Sequence, residues 1–95
     1  MKCDIDCTAE ILKAIAHPTR LKILCALNTR ELCVQLLVAE TGTTQSNISQ
    51  HLGLLKERGI LSARRDANRI YYRVRDVQLL QLISVMRDIY CHKAA

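Results

Sequence analysis

The apolar pattern of this chain changes period twice within 95 residues. Up to Arg58 the apolar residues fall at helical spacing. Through ILSARRDANRIYYRVR, residues 60–75, they alternate, with Ile60, Ser62 and Arg64 on one side of a turn and Ile70, Tyr72 and Val74 on the other. From Asp76 to Tyr90 helical spacing returns. Period 2 flanking Asp66-Ala67-Asn68 predicts a β-hairpin, and period 3.6 elsewhere predicts helices. The fold class is therefore mainly α with one small β-hairpin, in a single domain over residues 1–95.

Four helices precede the hairpin. Thr8 is the expected N-cap of the first, with Ile11, Leu12 and Ile15 on its apolar face. His17-Pro18 stops it, because a residue before proline is pushed out of the α region. Pro18 then suits the first turn of a second helix carrying Leu21, Ile23, Leu24 and Leu27, which Asn28-Thr29 ends. Residues 31–39 predict a short third helix, and Thr41-Gly42 a turn. Thr43 or Thr44 caps a fourth helix that runs to Arg58 and stops at Gly59. After the hairpin, Leu79, Leu82, Ile83, Met86, Ile89 and Tyr90 form a stripe that Leu80 and Val85 widen. A last helix so apolar on so small a domain predicts a dimer face.

Helix 31–39, a tight turn and helix 44–58 have helix-turn-helix spacing. Ile48, Leu52 and Leu55 pack the second of these helices down. Its other face offers Gln45, Ser46, Asn47, Ser49 and Gln50, short donors and acceptors suited to base edges and phosphates. His51 stands beside them, either on a phosphate or bonded to a neighbouring backbone group. The formal net charge is +5, and all of it lies in residues 56–75. Arg64, Arg65 and Arg69 surround the hairpin tip, where they can reach the DNA backbone or a minor groove; Arg73 and Arg75 read as solubilising. Asn68 is expected to take the left-handed conformation at a tip without glycine. A recognition helix followed by a basic hairpin predicts a winged helix, with double-stranded DNA as its expected partner.

Other classes fit less well. No Ser-His-Asp arrangement, phosphate loop or carboxylate pair marks an enzyme. A non-DNA interaction module is the competing class, and salt-dependent binding to duplex DNA separates the two. No apolar run approaches the roughly 20 residues of a membrane span, and MKCDIDCTAE lacks a signal-peptide core. The chain reads as cytoplasmic, so its five cysteines are expected as thiols.

HPTRLKILCAL, ELCVQLL, TQSNISQHLGLLKERGIL and RRDANRIYYRV resemble, block by block, the ArsR/SmtB family of bacterial transcriptional repressors. The resemblance covers nearly the whole chain. It implies a homodimer joined through the first and last helices, binding to an inverted-repeat operator, and release by an inducer. It assigns the recognition-helix role to Gln45, Ser46, Ser49, Gln50 and His51, and the wing role to Arg64, Arg65 and Arg69.

Metal- and metalloid-sensing members carry two cysteines in the third helix. Here Cys33 matches the first, and Gln35, a poor ligand for soft ions, replaces the second. A thiolate site for arsenite or a soft metal ion would have to recruit Cys3 and Cys7 beside Cys33. The family's zinc site on the last helix lacks both histidines here, at Asp76-Val77-Gln78 and Asp88-Ile89-Tyr90-Cys91. The better match is the persulfide- and redox-responsive branch, of SqrR/BigR and HlyU type, whose two thiols join as a bridge. Cys25 and Cys91 fall on those positions, and Arg87, one turn before Cys91, and the neighbouring His92 are placed to assist it. This resemblance implies a thiol switch without a resident cofactor. Taken alone, Cys25 reads as a small core hydrophobe.

Overall fold

Proline and glycine punctuate the helical part of the molecule. The structure is a computed structural model and describes residues 4–91. Helix α1 spans Asp4–Ile15 and helix α2 spans Pro18–Leu27. His17 separates them in an extended conformation and caps α2, its Nδ1 accepting the Thr19 N–H at 3.1 Å. Thr8 is not a cap. It lies inside α1, and its hydroxyl donates to the Asp4 carbonyl at 2.7 Å. The helix had room to begin earlier because Asp4 and Asp6 suit a first turn, where backbone N–H groups face outward.

The third helix also begins elsewhere than its sequence pattern suggests. Leu32–Cys33 form a short strand, β1, and helix α3 spans Val34–Thr41. The reason is tertiary: β1 pairs with the hairpin, Leu32 opposite Tyr72 and Cys33 opposite Tyr71. Gly42, at φ 76°, ends α3 in the left-handed region that only glycine occupies freely. Thr44 caps helix α4, Gln45–Glu57, by accepting the Asn47 N–H at 3.1 Å. Gly59, at φ 77°, turns the chain out of α4.

Strands β2, Leu61–Asp66, and β3, Arg69–Val74, form the hairpin, and with β1 they make an antiparallel sheet of order β1-β3-β2. Leu61 pairs with Val74, Ala63 with Tyr72 and Arg65 with Ile70. Directly opposed residues share a face, so the inward row starts at Leu61 and not at Ile60. Ile60 is buried all the same, in the turn between α4 and β2. At the tip the left-handed residue is Ala67, at φ 58°, and not Asn68.

Ile23, Leu24, Leu27, Leu37, Ile48, Leu52 and Leu55 are wholly buried where α2, α3 and α4 meet. Leu32, Leu61 and Val74 close the core from the sheet. At roughly 1.5–3 kcal/mol for each large apolar side chain buried, this cluster holds the helix-turn-helix rigid. Helix α5, Gln78–Tyr90, is attached more thinly. Ile83 is its one buried residue, while Leu82, Val85, Met86, Ile89 and Tyr90 face outward. Ile5 and Leu12 of α1 are exposed as well. Among the described residues, no helix is long and apolar enough to cross a membrane.

Candidate nucleic-acid interface and thiol cluster

The turn before α4 sets what that helix presents. Thr44 caps it, and the Asn47 side chain donates from Nδ2 to Thr43 Oγ1 at 2.8 Å. Asn47 is therefore half-buried and occupied in holding the turn. Gln45, Ser46, Ser49 and Gln50 are exposed, on the face opposite the buried Ile48, Leu52 and Leu55. Their hydroxyl and amide groups are free to meet base edges and phosphates. His51 is half-buried, and its Nδ1 accepts a hydrogen bond from Arg20 Nε at 3.1 Å. The partner is neither a phosphate nor a neighbouring backbone group, the two roles the sequence suggested, but a side chain 31 positions away. Sequence reasoning missed Arg20; its position in the first turn after His17-Pro18 was the available signal.

The wing arginines divide into two kinds. Arg64 Nε donates to both carboxylate oxygens of Glu31, at 3.0 and 2.9 Å, and its guanidinium lies 4.9 Å from the centre of the Tyr71 ring. The bond from Arg64 is the main reason the Glu31 carboxyl is held below its ordinary range. Glu31 immediately precedes β1, so the pair fastens the wing to the start of the helix-turn-helix. Arg65 and Arg69 are exposed and, among the described residues, form no ion pair. A specific difference in salt dependence is expected. Arg65→Ala and Arg69→Ala should each flatten the slope of log affinity against log salt by about 0.9, one phosphate contact apiece. Arg64→Ala should leave the slope near the wild-type value, because its charge is already spent on Glu31. Fluorescence anisotropy with a labelled duplex across a salt series measures this, and equal loss of slope in all three variants would refute the division.

The thiols also divide, though not as helix periodicity suggests. Cys25 is exposed on α2 and is no core residue; Cys33 is the buried one, 1% exposed. Cys7 is exposed on α1 and Cys91 is exposed just after α5, while Cys3 and His92 lie outside the described residues. The Arg87 side chain, expected beside Cys91, reaches the other thiol. Its Nη1 lies 3.9 Å from Cys25 Sγ, and it lines a cleft with Cys25, Asn28 and Ser84. Arg87 also lines a cavity of about 280 Å³ with Cys91, Leu12, Leu21 and Met86. One guanidinium thus borders the surroundings of both Cys25 and Cys91. Among the described residues, no group of three or more His, Cys, Asp or Glu is arranged to hold a metal ion.

Comparison with known proteins gives a consistent set. Residues 17–63 match the family model described as bacterial regulatory protein, arsR family. The biofilm growth-associated repressor of Agrobacterium fabrum is 40% identical over 83 residues, 87% of this chain and 71% of that protein. The HTH-type transcriptional regulator YgaV of Escherichia coli is 33% identical, over 96% of this chain and 93% of that one. Among solved structures, HlyU from Vibrio cholerae superposes with a TM-score of 0.84 at 32% identity, covering 97% of this chain and all of that one. The transcriptional repressor BigR from Xylella fastidiosa gives 0.82 at 36% identity, over 90% and 88% of the two chains.

Proposed function

The chain belongs to the ArsR family of winged-helix, DNA-binding transcriptional regulators, and from that premise we propose that it is a homodimeric repressor released from its operator by bridging of Cys25 and Cys91. It is a regulator and not an enzyme. The observation that carries the DNA reading is the exposed polar row Gln45, Ser46, Ser49 and Gln50, set beside the wing cations Arg65 and Arg69, which form no ion pair among the described residues. Two copies joined through α1 and α5 present two such rows to an inverted repeat whose half-sites lie about 34 Å, one helical turn, apart. The site of action is the cytoplasm, where the operator is.

Burial supports the thiol pair over a metalloid site. Cys33 would have to be a ligand for arsenite or a soft metal, and it is buried within strand β1. Cys25 and Cys91 are open and share Arg87 as a neighbour. The solved relatives include HlyU described in its reduced form. A hydropersulfide donor, RSSH, supplies the oxidising sulfur. One cysteine thiolate takes its outer sulfur and releases RS⁻, becoming a persulfide. The second thiolate attacks the inner, protein-bound sulfur and expels hydrosulfide. The sum converts two cysteine thiols and RSSH into a protein disulfide, RSH and H₂S. No resident cofactor is required.

The operator-binding reading is tested with a duplex selected by the protein itself from a randomised library. Ser49→Ala and Gln50→Ala should each lower discrimination between the selected and a random duplex by about tenfold, the value of one base contact. Equal affinity of the wild type for selected and random duplexes would defeat the proposal.

A further inference from the structure

Arg20 joins three helices with one side chain. It lies in the first turn of α2. Its Nη1 donates to the Ala14 carbonyl in the last turn of α1 at 3.0 Å. Its Nε donates to His51 Nδ1, near the middle of α4, at 3.1 Å. The His51 ring also rests against the His17 ring, centroids 4.6 Å apart and planes tilted by 49°. His17 in turn uses its own Nδ1 to cap α2.

We propose that Arg20 is a positioning residue for DNA recognition, fixing α4 against α1 and α2 through His51, and that His51 serves as the acceptor of this clamp and not as a phosphate ligand. The guanidinium suits the task because its donors lie in a rigid fork, so one residue can satisfy a carbonyl and an imidazole together. The buried core still seats α4 without the clamp, but its polar row loses the polar contact that sets its fine angle to the wing and to the second recognition helix.

The clamp has a protonation requirement. An imidazole that accepts at Nδ1 carries its single proton on Nε2, and an imidazolium cannot accept. The charged or titratable groups facing His51 are His17 from the α1–α2 junction and Arg20 from α2. Burial, then His17, then Arg20 hold the His51 pKa below its ordinary value. The clamp is therefore complete above the ordinary histidine range and is lost as pH falls below it. Operator affinity should fall in acid. A histidine on a phosphate would give the opposite sign, since its charge would then add to binding.

The test measures operator affinity of the reduced dimer by anisotropy from about pH 7.5 to about pH 5.5, without any sulfur donor, so it is independent of the thiol reading. His51→Asn places an amide oxygen near the position of Nδ1, and this acceptor does not titrate. Relative to His51→Asn, the wild type should lose affinity across that range, by less than the roughly tenfold an unshifted histidine would give at its lower end. Arg20→Lys keeps the charge but cannot fork, and should lose about tenfold already at neutral pH. Its affinity for random duplex should stay unchanged. Should Arg20→Lys fail to fold, the pH comparison between wild type and His51→Asn still decides. Wild-type affinity that rises in acid, with the rise abolished in His51→Asn, would overturn the proposal. So would parallel pH curves for the two proteins, or a folded Arg20→Lys that binds operator as tightly as wild type.

Discussion

Replacing Met86 with lysine is expected to convert the proposed dimer to a folded monomer and to remove most of its operator affinity. The argument starts from how little holds α5 to its own chain. Ile83 is buried and Leu79 and Leu80 are half-buried, but Leu82, Val85, Met86, Ile89 and Tyr90 are exposed, Tyr90 at 79%. Ile5 and Leu12 extend the apolar surface onto α1. A second copy offers an identical surface, and a two-fold arrangement lets each bury the other. Met86 lines the cavity between α1, α2 and α5 and is 44% exposed, so it contributes little to the core of a single chain. A lysine there would keep its charge in water in the monomer but lose it to an apolar seam in the dimer. Stranding an unpaired charge in an interface costs roughly 3–5 kcal/mol, enough to weaken association by roughly two to nearly four orders of magnitude. Operator affinity should fall with it, because two linked half-site contacts gain about 10²–10⁴ over one. Light scattering gives the mass and circular dichroism the fold. A well-folded Met86→Lys protein at unchanged dimer mass, still bound to operator, would show that the interface lies elsewhere.

Most of the helical part of the fold was legible because its signals are local. Pro18 at a helix start, Gly42 and Gly59 at helix ends and Thr44 as a cap all act within a few residues of themselves. What the sequence hid was non-local. Leu32–Cys33 carry no strand pattern of their own and become β1 only because Tyr71 and Tyr72 lie beside them. The same distance hid the pairing of Arg64 with Glu31 and of Arg20 with His51, partners separated by 33 and 31 positions. Charge counting placed the excess of arginines correctly but treated Arg64, Arg65 and Arg69 as equals. Only the fold shows that Arg64 is neutralised by Glu31. The thiols illustrate the limit of periodicity: Cys25 follows two wholly buried residues, Ile23 and Leu24, yet its own side of α2 faces outward.

That outward position governs the second large effect. A persulfide donor is expected to release wild-type protein from the operator, and reductant to restore binding. Cys25→Ser and Cys91→Ser should each remain bound after the same treatment, since a single thiol cannot close a bridge. Bridging draws α2 toward the end of α5, and α5 carries much of the exposed apolar face assigned to the proposed dimer. A change there alters the spacing of the two α4 helices. At about 1.4 kcal/mol per tenfold, a spacing change costing under 3 kcal/mol lowers operator affinity a hundredfold. Cys33 should be tested as Cys33→Ala. Serine would leave a hydroxyl in a site only 1% exposed and cost stability for reasons unrelated to sensing. Cys33→Ala should still respond to persulfide, because a sealed thiol meets no donor. Mass spectrometry of the released protein should find Cys25 and Cys91 joined, with or without extra sulfur atoms between them. The contrary pattern is equally definite. Loss of the response in Cys33→Ala, together with release of the wild type by arsenite but not by persulfide, would mean that the structure opens at β1 and that the inducer is a metalloid.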